Sequence, residues 1–347
     1  MKAHMMTGAT PLRAFQQLAR DAADAGFAGL VVTEAGRTAY LSCAAAALAD
    51  VDLDIATGVA VAFPRSPMVT ASVAWELADA SGGRFRLGIG PQVRAHVERR
   101  YSSAFEHPGP RLREYVEALH AIFHAFRGDE PLEYSGMFYD FSLLPAMWSP
   151  GPISVPDPPV DVAAVNPWML RMAGAVADGV HVHPLNTTTY YRETLVPNVR
   201  AALDERGRDA VSFTMFVPLF TAPGDTERER AGWRELSRGM VAFYGSTPNY
   251  AFIFEQLGFP GTTERLRAAQ KTEGPVAMAK VIDDDLLDHF VVEGTWDALP
   301  GLIRERCAPL DAFDTQVVLY HAGAAMRRDD DTYARLGEVA RELRAAG

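Results

Sequence analysis

The chain has 347 residues, two cysteines and a formal net charge of −11, with 48% apolar and 22% charged residues. These are globular values for one large domain or two ordinary ones, and the acidic balance argues against general nucleic-acid or membrane-surface binding. Cys43 and Cys307 make neither a disulfide framework nor a metal-ligand spacing; with no transmembrane-length apolar run and no basic-then-apolar leader, a soluble cytoplasmic protein is expected.

His4-Met5-Met6 reads as a short first strand. Residues 11–25 have helical apolar spacing, with Thr10 as the predicted cap, Pro11 in the first turn and Gly26 as the stop. A strand over 29–33 ends at Glu34, and an alanine-rich helix covers 38–49. A third strand is expected over 53–62, then a helix opened by Pro67 and reaching about Ala80.

The next strand, 84–89, alternates Phe85, Leu87 and Ile89 with Arg86, Gly88 and Gly90. That period of two puts bulk on one face and glycine on the other, which suits a barrel wall with room for a ligand at its mouth. A helix over 111–126 follows. Residues 132–158, rich in proline, glycine and aromatics, read as an excursion over one end of the domain.

Strands at 160–165 and 179–183 alternate with helices at 167–177 and 187–206, and a seventh strand covers 211–221. Residues 222–312 form the largest insertion and read as helical, covering the mouth. Thr315 to Tyr320 is the eighth strand, and 328–346 the last helix. Eight β/α units favour a single (β/α)8 TIM barrel over 1–347, rather than an open doubly wound sheet.

In such barrels the chemistry sits where the strands end. Glu34 could serve as a base or cofactor contact, or simply pair with Arg37. His181 and His183 share one side of a strand; a zinc hydrolase would need further ligands, of which only His321 and Glu34 are evident, so cofactor contact or packing is favoured and no metal is assigned. Asn166-Pro167 and the run Asn186, Thr187, Thr188, Thr189 open helices whose free amides can take a phosphate or simply be capped. Arg94, Arg99 and Arg100 stand beside the glycine-bare strand end, where an anionic tail could lie.

Several motifs carry a resemblance. They are Ala62 to Met68 (AFPRSPM), Ser81-Gly82-Gly83-Arg84-Phe85 with Leu87-Gly88-Ile89-Gly90, Gln92 to Arg100 (QVRAHVERR), Arg113-Glu114-Tyr115, Ala177-Asp178-Gly179 and Ala242 to Pro248 (AFYGSTP). With these the chain resembles the luciferase-like monooxygenase superfamily, and most closely its branch of deazaflavin (coenzyme F420)-dependent oxidoreductases. The resemblance implies hydride transfer between coenzyme F420 and an organic small molecule. FMN-dependent monooxygenase chemistry is the alternative, and a metal-dependent barrel hydrolase or a non-catalytic cofactor-binding barrel are further ones.

It also implies a non-proline cis peptide in the third strand, where Gly58-Val59 stands, propping the cofactor ring. Gly90, Gln92 and Arg94 would flank the cofactor, and Val165, Asn166, His183, Thr187 and Thr188 would lie at its phosphate. A homodimer is implied as well. The chain departs from family patterns at Ala35, Val93 and Arg37-Thr38-Ala39, where familiar proton-transfer residues would stand. Glu34, His96, His183 or His321 would then have to move the proton.

Overall fold

The structure, a computed structural model, describes residues 1–272, 274–325 and 330–345. Eight parallel strands carry the chain round a closed barrel: β1 Lys2–Gly8, β2 Gly29–Thr33, β3 Asp54–Thr57, β4 Phe85–Gly90, β5 Val160–Ala164, β6 Gly179–Val182, β7 Thr214–Pro223 and β8 Asp314–Leu319. Each pairs with the next in sequence, and Lys2 to Met5 of β1 pair with Gln316 to Leu319 of β8 to close the ring. The (β/α)8 architecture expected from the β/α rhythm is present.

Helices α1 Leu12–Ala25, α2 Ala39–Ala47, α3 Pro67–Ala80, α4 Pro108–Arg127, α5 Pro167–Val176, α6 Val196–Glu205, α7 Leu299–Cys307 and α8 Asp330–Ala345 surround the barrel. The predicted start at 328 and end at 346 of the last helix lie outside the described residues. Gly26 ends α1 at φ 104°, where only glycine is at ease, but Pro11 occupies the cap position predicted for Thr10. Ser66 and Asn166 cap α3 and α5, each accepting a backbone N–H three residues on, with proline at the first helical position. The predicted helix over 187–206 is interrupted. Tyr191–Leu195 is a π-helical turn just before Pro197, which has no N–H to give the helical ladder.

Two apolar cores result. The larger lies between the sheet and the helices; the smaller, Val31, Ala56, Phe216 and Val318 with Met6 packed against it, fills the inside of the barrel. The predicted third strand is split: Asp54–Thr57 and Ala60–Val61 flank a cis Gly58–Val59 peptide. The excursion runs along α3 and α4 to the N-terminal end of the barrel. Trp75 Nε1 donates to the Gly151 carbonyl, Glu114 accepts from the Met137 and Phe138 N–H groups, and Arg127 pairs with Asp157.

The insertion is mostly helical, as expected, and its longest helix, Glu227–Gly245, starts with a capping box between Thr226 and Glu229. It also contains a strand that its sequence did not announce, Val291–Gly294, which pairs with Phe220 to Pro223 at the far end of β7. No helix of the described residues is long and apolar enough to cross a membrane.

Candidate active site

The inner face of each strand follows from its alternation. His4 bonds Gln316 at 2.8 Å across β1 and β8, and Arg86 forms a two-pronged pair with the fully buried Asp161, at 2.9 and 2.6 Å. His181 stacks on Phe216 with centroids 4.6 Å apart and planes 6° off parallel. Gly88 is bare because this ring needs the space: a methyl there would lie 2.4 Å from His181 Nε2 and 1.9 Å from the Thr57 carbonyl oxygen. The glycine face of β4 is therefore not open room, as its sequence suggested. His181 fills it at Gly88, while Val59 and Ala163 crowd the space above Gly90.

Two residues further along, at the next inward position of the strands, lies the mouth. On the β1–β4 side its inward positions are Gly8, Thr33, Gly58 and Gly90. On the β5–β8 side they are Val165, His183 and Tyr320, joined from the insertion by Tyr244 and Tyr250. His183 meets Tyr244 edge-on at 4.8 Å and Tyr250 at 4.2 Å. Its Nδ1 accepts the Leu185 N–H, so the neutral ring carries its proton on Nε2. Burial pushes both imidazoles, His181 and His183, down to about 3, with Arg86 and His4 adding to the effect at His181, so both rings are neutral at ordinary pH.

The other acid–base candidates have different surroundings. Glu34 is held by Arg65 rather than Arg37: Arg65 reaches its two oxygens at 2.6 and 2.9 Å, and the Val61 N–H adds a 2.7 Å bond. Burial pulls the carboxyl up, but the Arg65 guanidinium, the Val61 N–H and the Thr38 hydroxyl outweigh it and hold Glu34 below the usual carboxylate range. His321 is buried against Phe220 and Trp233. Its Nε2 lies 3.1 Å from Ser237 Oγ; that hydroxyl spends its proton on the Trp233 carbonyl and so accepts from the ring. His96 is exposed on the short helix Arg94–Arg99 and makes no ring or hydrogen-bond contact with His183 or His321 among the described residues.

Of the positions expected at a cofactor, Gln92 is exposed at φ 60° with its side-chain oxygen accepting the Val93 N–H, and Arg94 pairs with Glu98 at 2.7 Å and lies over Phe105. The Val165 carbonyl takes the Tyr190 hydroxyl at 2.7 Å, and Asn166 caps α5. Thr187 Oγ1 accepts the Tyr190 N–H, while Thr188 Oγ1 takes Arg306 Nη1 at 3.3 Å. Arg306 reaches this loop from α7 and also donates to the Asn186 and His289 carbonyls. It takes up part of the hydrogen-bonding capacity of the Asn186–Thr188 run. Among the described residues no three His, Cys, Asp or Glu side chains are grouped to hold a metal ion, so a hydrolase built on His181 and His183 has no ligand set there.

Sequence reasoning missed Arg65, Tyr244 and Tyr320. Tyr320 directly precedes His321 at a strand end, where the barrel rule points, and Tyr244 lies inside the AFYGSTP stretch, so both signals were in view.

Comparison with known proteins places these features in a family. The family model described as luciferase-like monooxygenase matches residues 1–311. An uncharacterized protein of Mycobacterium tuberculosis is 39% identical over 298 residues, spanning 84% of this chain and 87% of its own. The 5,10-methylenetetrahydromethanopterin reductase of Archaeoglobus fulgidus is 28% identical over 293 residues, with 82% and 83% covered. The solved coenzyme F420 dependent tetrahydromethanopterin reductase of Methanopyrus kandleri superposes with a TM-score of 0.77 at 21% identity, covering 99% of each chain, and so shares the fold. With a family match over nine-tenths of its length and the barrel that match requires, the chain belongs to the luciferase-like monooxygenase family.

Proposed function

We propose that this chain is a deazaflavin-dependent oxidoreductase that exchanges hydride between coenzyme F420 and an organic small molecule at the barrel mouth. The observation that carries the reading is the division of that mouth. A floor of small residues on β1–β4, close-packed at Gly58 and Gly90 and open at Gly8, faces a wall of neutral aromatic groups on β6–β8. The archaeal reductase among the relatives supports the same reading.

Gly58, Val59 and Gly90 would lie under the ring, Val165, Asn166, Thr187 and Thr188 on the phosphate side, and Gln92 and Arg94 beside the tail. The cofactor, when bound, supplies the hydride chemistry; the chain binds, orients and shields the reacting partners. Among the four acid–base candidates, the Glu34 oxygens are engaged by Arg65 and the His321 Nε2–H by Ser237, and His96 is exposed. His183 keeps a neutral Nε2–H beside the mouth, suited to donating a hydrogen bond and unsuited to acting as a cationic acid.

Titration of the purified protein with coenzyme F420 and with FMN, followed by cofactor fluorescence, tests the assignment. Saturable binding of the deazaflavin with none of FMN is expected. Tight FMN binding without deazaflavin binding overturns it in favour of a flavin-dependent monooxygenase.

A further inference from the structure

Tyr244 and Tyr320 place their hydroxyl oxygens 2.6 Å apart although 76 residues separate them in sequence. Tyr320 continues the inward alternation of Gln316 and Val318, so its ring stands over the barrel axis. Tyr244 comes down from the helix Glu227–Gly245 and meets His183 edge-on. Two hydroxyls carry two protons, and the bond between them uses one. Neither oxygen has a further hydrogen bond among the described residues, and both side chains are half-buried at the mouth rather than sealed in the core. The pair therefore holds one O–H in reserve.

Burial raises both phenols, so both stay protonated at ordinary pH, and either hydroxyl can be the donor within the pair. Phe220 packs on Tyr320 at 4.7 Å and His321 meets it edge-on at 5.2 Å, while His183 is neutral and Tyr250 backs it. A neutral hydroxyl between aromatic rings suits a carbonyl oxygen better than a carboxylate or a phosphate, whose lost hydration calls for a cation facing it.

We propose that the Tyr244–Tyr320 pair recognises an oxygen of the substrate, its spare O–H donating to a carbonyl oxygen, so that the substrates are small ketones or aldehydes and their alcohols. This rests on the reading of the mouth as the substrate site, and it involves no bond-making step.

The test uses the full chain labelled with 13Cζ-tyrosine, with acetone, cyclohexanone and acetophenone as probes and methylcyclohexane as an apolar control. At least one ketone is expected to move the Tyr244 or Tyr320 resonance, and the control is not. Replacing both, Tyr244→Phe with Tyr320→Phe, should weaken ketone affinity about threefold to tenfold, the worth of one neutral hydrogen bond, and leave methylcyclohexane unaffected. No movement of either resonance with any of the three ketones, or unchanged ketone affinity in the folded double variant, overturns the proposal. If the double variant does not fold, the two resonances of the parent protein decide. Deazaflavin titration of the same samples separates the two readings: ketone binding without deazaflavin binding sinks the cofactor assignment and spares the tyrosine pair.

Discussion

The two halves of the barrel mouth are built in opposite ways. On β1–β4 the shape is set by what is missing: Gly58 and Gly90 make room for Val31, Val59 and Ala163, Gly8 has open space beside it, and the rim is held from outside by the Glu34–Arg65 clamp. On β6–β8 it is set by what arrives from far away, as the insertion lays Tyr244 and Tyr250 on His183 and Tyr320. The first half depends on local backbone and tolerates almost no added volume below the mouth. The second depends on long-range side-chain contacts and can lose single atoms without losing its wall.

Substitutions can break that contrast, and the largest effect is expected at Gly88. Its methyl would meet the Thr57 carbonyl and the His181 ring, so Gly88→Ala should cost more than about 3 kcal/mol, read as loss of the urea-unfolding midpoint or of soluble protein. A variant as stable as the parent would show that His181 does not need that space.

Arg65→Ala comes next. The Glu34 side chain is 3% exposed and Arg65 20%, so removing the guanidinium leaves a buried unpaired carboxylate, a loss of about 3 kcal/mol at neutral pH. The folded carboxyl of the parent is depressed, so its contribution is complete above the unfolded carboxylate range and fades as the pH falls through the lower folded value. In the variant burial dominates, so its deficit relative to the parent should shrink on acidification. A pH-independent deficit would count against the clamp.

Gly8→Ala separates fold from mouth. The nearest atom to the new methyl is Thr33 Oγ1 at 3.9 Å, so stability should change by less than about 1 kcal/mol, while deazaflavin affinity falls roughly fivefold or more. Equal affinity would move the ring off the glycine floor. The smallest effect is expected from Val93→Glu: Val93 is 44% exposed, and thermal unfolding should stay within about 0.5 kcal/mol of the parent. A larger loss would mean that the exposed turn before Arg94 packs on something in solution.

The same contrast explains what the sequence could say. Barrel order and the stops at Gly26 and Gly90 are encoded within a few residues and were legible; the break at Gly58-Val59 was not read from the residues, which looked like one strand, and came only from the family resemblance. The strand Val291–Gly294 was not, since its partner Phe220 to Pro223 lies 71 residues earlier and its own four residues follow a helix. Glu34 was legible as a strand-end carboxylate, but its partner was misplaced from Arg37 to the more distant Arg65 because pairing across a βα loop has no sequence period. Gly88 shows a subtler limit: glycine in a strand signals that something comes close, and only the folded chain shows that it is His181 rather than a ligand.

Strand β7 has a mechanical consequence. Its residues Thr214 to Leu219 belong to the barrel wall, laddered to β8, and Phe220 to Pro223 carry the strand of the insertion. The wall and the cover over the mouth thus share one unbroken ten-residue spar. A pull on the cover is delivered lengthwise into the ladder, loading its hydrogen bonds in shear together rather than peeling them one at a time.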